Sequence, residues 1–243
     1  SRRQRQMCIR DRMITMQGIE ILLRNVIISI IIILILLKIN KKQQNKKGHI
    51  IGVLFFIFIM NVIFGLTGIS PISGFHTDIR IDEISYIPVV STLGMVKEVF
   101  NTGVVENIPR NETILYLGAN IFGNILMFGP LGLLLPLLWR YFRKFWKTVL
   151  FGFLVSFTIE FSQLFLARGT DIDDLILNTI GTMLGYLTFV VFHKLFPKFT
   201  EKFTVEHGVE KLLWNILPVI CVIIPYLVTV ILGFYDRAIL LAR

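Results

Sequence analysis

From Val26 to Leu37 the chain reads VIISIIIILILL, and five further stretches are nearly as apolar over a similar length. A helix needs about 20 residues to cross a hydrocarbon core about 30 Å thick. We place such spans at about 19–39, 50–69, 114–138, 148–167, 174–196 and 212–234. Only helices and closed barrels satisfy their own backbone in lipid, and the ten-residue alternation of a membrane barrel is absent. The expected fold is therefore all-α: a polytopic helical membrane protein with six transmembrane helices. Composition agrees, with 54% hydrophobic residues against 17% charged.

A formal charge of +9 raises nucleic acid as a partner, but the position of the charge argues against it. Lys38, Lys41, Lys42, Lys46 and Lys47 separate the first two spans. Arg140, Arg143, Lys144 and Lys147 separate the third and fourth, and Lys194, Lys198, Lys202 and Lys211 the fifth and sixth. The alternate connections, 70–113 and 168–173, are poor in lysine and arginine. Basic loops mark the cytoplasmic side, so loops 40–49, 139–147 and 197–211 belong inside and both termini outside. Membrane lipids are the expected partners. The opening SRRQRQMCIRDR conflicts with an outside N-terminus and reads as translated sequencing adapter, so residues 1–12 are left out of the fold reading. Residues 13–49 then form an extra helix and its basic loop, and 235–243 a C-terminal tail. Past Glu20 and Arg24, the first span reads as a lipid-facing helix without a site. Connection 70–113 is too long for a simple link and is expected to lie along the outer face or in solvent.

Cys8 and Cys221 are far apart, and His49, His76, His193 and His207 are scattered singly. No metal-type spacing exists. The histidines read as surface or interfacial residues, and no metal or cofactor is expected.

Three later segments carry polar residues at helical spacing. In the third span Asn120 and Asn124 are one turn apart and share a face with Gly123 and Met127. Gly129-Pro130 follows, where the missing donor and the crowded Leu126 carbonyl predict a kink or break; Pro136 repeats the disturbance. In the fourth, Ser156, Glu160 and Gln163 form one stripe, with phenylalanines around most of the remainder. In the fifth, Asp171, Asp174 and Asn178 fall within about 60° on a helical wheel. Gly181 and Gly185 continue that face as a GxxxG pair, which lets another helix approach closely. Asp173 points elsewhere and reads as a solvated acid at the helix start. Counting about 1.5 Å per residue puts Asn120, Asn124, Glu160, Gln163 and the Asp171–Asn178 face in the outer half of the bilayer. Charged groups at such depth usually serve function, whereas asparagines alone can simply join helices.

NIFGNILMFGPLGLLLP (120–136) and SFTIEFSQLFLARGTDIDDLILNTIGTMLGY (156–186) together resemble the VanZ-like family of bacterial membrane proteins. That family carries N-x-x-x-N…F-x-P-x-G, then S-x-x-x-E-x-x-Q, then R-x-x-D-x-x-D-x-x-x-N-x-x-G-x-x-x-G. The matching positions are Asn120, Asn124, Phe128, Pro130, Gly132, Ser156, Glu160, Gln163, Arg168, Asp171, Asp174, Asn178, Gly181 and Gly185. The resemblance implies a membrane domain over 50–234 and a site at Asn120, Asn124, Glu160, Gln163, Arg168, Asp171, Asp174 and Asn178. It implies structural roles for Pro130, Gly132, Gly181 and Gly185, residence in a bacterial cytoplasmic membrane, and an association with teicoplanin resistance.

Three readings of the site stay open. One is a cell-envelope binding protein whose outward polar pocket engages an amphiphile, a lipid-linked cell-wall precursor or a glycopeptide. Another is an intramembrane enzyme acting on a lipid headgroup, with Glu160 as general base and Asp171 and Asp174 holding a hard cation. The third is a transporter, which a broken third helix favours and the lack of an inverted repeat disfavours.

Overall fold

Apolar length sets the helices, and the helices set everything else. The computed structural model describes residues 2–39, 47–75, 104–105, 108–166, 172–205 and 212–242. It contains six long helices: α1 (Arg2–Ile39), α2 (Lys47–Leu66), α3 (Arg110–Leu138), α4 (Phe145–Gln163), α5 (Ile172–Leu195) and α6 (Leu212–Leu241). Each holds a segment long and apolar enough to cross a membrane. This is an all-α polytopic membrane protein. A two-residue ladder, Val104–Val105 with Ile108–Pro109, precedes α3. Most of connection 70–113, with the readings made of it, lies outside the described residues, as do Arg168 and Asp171.

The buried positions follow helical periodicity. On α4 they are Thr148, Gly152, Val155, Ser156, Ile159, Glu160 and Gln163, one stripe at i, i+3, i+4 spacing. The outward phenylalanines stack along the opposite side, Phe153 on Phe157 and Phe157 on Phe161. On α5, Asn178, Gly181, Thr182, Gly185 and Phe189 are buried.

The closest crossing is α3 against α5. A Cβ at Gly181 would overlap the Ile125 carbonyl, one at Gly185 the Gly129 carbonyl, and one at Gly132 the Thr182 carbonyl. Removing side chains at these points lets two backbones touch, which is how small residues bind helices where lipid offers no hydrophobic drive. The same contact bears on Pro130. Both Pro130 and Pro136 sit inside α3, which runs uninterrupted for 29 residues. Of the kink or break expected there, a break does not occur, and α5 packs directly on the Gly129–Gly132 turn.

The bundle has two unlike ends. At one, the basic connections gather. Arg143 forms an ion pair with Glu201 at 2.8 Å and donates to Thr204 Oγ1 at 2.9 Å. The guanidinium holds the Glu201 carboxyl below the usual carboxylate range. Tyr186 donates to the Arg143 carbonyl at 2.6 Å, and Arg140 N to Val205 O at 3.2 Å. His49 is a correction to the sequence reading. It is 1% exposed, with Nδ1 2.8 Å from Phe203 O and its ring edge-on to Trp139 at 5.8 Å. Its position at the start of α2 suggested an interfacial residue, but the 197–205 segment folds over it. His193 stacks on Phe189 at 5.5 Å.

The first helix needs correction too. Arg24 makes a two-pronged ion pair with Asp236 of α6, at 2.8 and 2.7 Å. Below it, Asn25 lies 3.5 Å from Thr229 Oγ1, and Ser29 donates to Asn61 of α2 at 3.4 Å. Asn25 and Ser29 are buried. Thus α1 presents lipid with only part of its surface, and a polar seam fixes the rest to α6 and α2.

Candidate functional site

At the end of the bundle opposite the basic connections, four helices frame a cavity of about 180 Å³. Leu66 at the end of α2 and Thr67 just past it close one side; Gly123, Asn124 and Met127 from α3, Glu160 and Gln163 from α4, and Asp174 and Asn178 from α5 close the others. Helical spacing explains how each wall arises. On α3, positions 120, 123, 124 and 127 share a face, and Asn124 Nδ2 reaches both Asn120 Oδ1 at 3.0 Å and Asp174 Oδ1 at 2.5 Å. Donation to a carboxylate is the stronger kind of hydrogen bond, so Asn124 ties α3 to the head of α5.

On α4, Glu160 is 6% and Gln163 2% exposed. Gln163 Nε2 donates to the Thr67 carbonyl at 2.8 Å. That carbonyl is available because α2 ends there. Gly68 takes φ 68°, a left-handed conformation that stops a helix and costs glycine little. Asn178, 1% exposed, donates Nδ2 to Ser156 Oγ at 2.9 Å, and its own carbonyl accepts from Thr182 Oγ1 at 3.0 Å. Its Oδ1 has no partner among the described residues. A buried acceptor left open at a cavity wall is costly unless a guest or water reaches it.

The structure therefore brings together Asn120, Asn124, Glu160, Gln163, Asp174 and Asn178, with Asn120 at the exposed rim. Arg168 and Asp171 fall outside the described residues. Asp173 is a further correction: it is 5% exposed and partnered. A helical wheel gives a direction around the axis but not what covers the helix end. Thr67 was missed, although its threonine-glycine pair just past an apolar run is a helix-stop signal. Glu160, Asp173 and Asp174 all carry partners. No group of three or more metal-ligating side chains occurs among the described residues.

The family model described as VanZ/LLP1 matches residues 49–193. The chain belongs to the VanZ/LLP1 family. Comparison with curated proteins and with solved structures gave no match. The VanZ/LLP1 region takes in α2 to α5 almost entirely, and so every wall of the cavity. Helices α1 and α6, with the Arg24–Asp236 pair, lie beyond it.

Pro130 sits one turn and a half inward of Asn124, beside the crossing with α5. Pro130→Ala restores a backbone hydrogen bond to the Leu126 carbonyl, a change worth up to about 3 kcal/mol in a free helix. If proline aims the Asn120–Asn124 turn at Asp174, the variant keeps or gains thermal stability and loses activity. Melting temperature and activity on one preparation check this. Activity that simply tracks folded protein removes Pro130 from the mechanism.

Proposed function

We propose that this VanZ/LLP1 protein of the bacterial cytoplasmic membrane holds the polar head of an amphiphilic or lipid-linked ligand in the cavity, facing outward, and contributes to glycopeptide protection by doing so. The observation that carries the reading is the cavity's size and lining. At about 180 Å³ it is smaller than the roughly 300–1,000 Å³ pockets that enclose drug-sized ligands. A whole glycopeptide does not fit, whereas a single headgroup or sugar ring does. Its walls offer carboxylates and carboxamides, suited to hydroxyl and amine donors. The apolar remainder of such a ligand stays among lipid tails, so the site needs no long apolar tunnel.

Two experiments test this. Gly123 lines the cavity, and nothing lies within 4 Å of the position its Cβ would take. Gly123→Phe is expected to fill the space without disturbing the bundle, and to remove the amphiphile that co-purifies with the native chain, as read by mass spectrometry of extracted lipids. An unchanged lipid profile and unchanged teicoplanin protection in the folded variant would refute the binding reading. Appearance of a cleaved or transferred headgroup would instead establish turnover. Orientation is checked separately by reporter fusions at Gln44 and Thr102, which are expected on opposite sides of the membrane.

A further inference from the structure

A second, larger depression lies at the other end of the molecule. It is a groove of about 420 Å³ between the start of α4 and the start of α6, with Leu150 and Leu154 on one wall and Pro218 and Val219 on the other. Phe142 forms a floor only 6% exposed, while Leu150, Leu154 and Val219 are 48%, 51% and 43% exposed. The floor is braced. Thr148 Oγ1 donates to the Phe142 carbonyl at 2.5 Å, and Phe151 packs edge-on against the Phe142 ring at 5.1 Å. This is an apolar slot with a braced floor and exposed walls, set within the membrane-length part of α4.

Its mouth has a different chemistry. Tyr141 and Trp146 stand at the rim, 45% and 59% exposed. Lys147 Nζ lies 3.1 Å from the Tyr141 ring centroid and 5.6 Å from that of Trp146. A cation held between two aromatic faces is fixed in place. Tyrosine and tryptophan mark the depth of the headgroups. Lys144, at the N-cap of α4 and one turn before Lys147, is exposed. Leu154 is seven residues beyond Lys147, about 10 Å deeper along the helix.

We propose that this groove is a binding site for an anionic phospholipid, with one acyl chain against Phe142, Leu150, Leu154 and Val219 and the headgroup phosphate on Lys147 and Lys144. Charge complementarity selects the occupant. A slot for any lipid tail would accept a zwitterionic lipid equally well, but Lys147 on the groove wall, with Lys144 one turn before it, favours a net negative headgroup, as basic pockets between transmembrane helices do. The site is separate from the headgroup cavity, which lies at the far end of α4.

The test uses the full chain in vesicles of phosphatidylglycerol and phosphatidylcholine at fixed composition. Brominated acyl chains are placed on one lipid and then on the other, so that surface charge never changes. Quenching of Trp146, isolated by subtracting a Trp146→Phe variant, reports which lipid occupies the groove. Brominated phosphatidylglycerol is expected to quench at least about threefold more effectively per mole. Lys144→Gln/Lys147→Gln should bring the two lipids level, and Val219→Phe should reduce quenching by phosphatidylglycerol with both lysines intact. Equal quenching by both lipids in the native chain overturns the proposal. So does a preference that survives both variants.

Discussion

Gly185→Leu should yield no monodisperse protein after detergent extraction. Even a methyl group at this position would overlap the Gly129 carbonyl and lie 3.0 Å from Leu133 N, so the whole of α5 has to move. Overpacking typically costs about 1–3 kcal/mol when side chains can adjust. Here the obstacle is backbone, and the effect belongs at or above the upper end of that range. Against a total stability of about 5–15 kcal/mol, that is a large fraction, and it falls on the crossing that seats α5 on α3. Displacement of α5 also carries Asp174 away from Asn124, so residual folded protein should be inactive. Gly129→Ala is the control on the facing helix, since no atom lies within 4 Å of its Cβ position. It should extract and melt like the native chain. A sharp elution peak and native melting temperature for Gly185→Leu would show that α3 and α5 do not cross in this way.

The second large effect is on function without loss of fold. Glu160→Gln and Asp174→Asn each keep side-chain shape and remove a charge from the cavity wall. Hydrogen bonds to charged groups contribute about 1.5–3 kcal/mol, so each change should weaken ligand retention by roughly tenfold to a hundredfold. On the proposed function, teicoplanin protection in cells expressing the variants should fall accordingly, with membrane abundance unchanged. Asp174→Asn should be the more damaging of the two to the α3–α5 contact, because Asn124 donates to its Oδ1 at 2.5 Å. Full protection by both variants at normal abundance would make these carboxylates part of the scaffold only.

The spans could be read from sequence because membrane thickness imposes a length, and length survives any detail of packing. The cavity was readable to the extent that its residues repeat with helical period: Asn120 with Asn124, Glu160 with Gln163, Asp174 with Asn178. Each pair fixed a face, and depth counting put the faces at one level. What was not readable was anything joining distant points of the chain without a period. Thr67 contributes a backbone carbonyl, which every residue has. Arg24 and Asp236 are 212 positions apart, and neither advertises the other. His49 is buried by the 197–205 segment, which packs over a helix end, and Asp173 is buried at the start of its helix; at helix ends a wheel says nothing.

The Arg24–Asp236 pair has a consequence for the order in which this protein is made. Synthesis runs from the N-terminus, so Arg24 leaves the ribosome and enters the membrane long before its partner exists. An unpaired arginine in a transmembrane helix is costly, and until α6 arrives its relief is snorkelling toward the headgroups and Glu20 one turn earlier on the same helix. The first helix is thus inserted in a provisional state, and its final seat forms only when the last helix arrives. Truncating the chain before Asp236 would leave that seat vacant, and quality-control proteases would meet a nascent protein whose first helix is never locked.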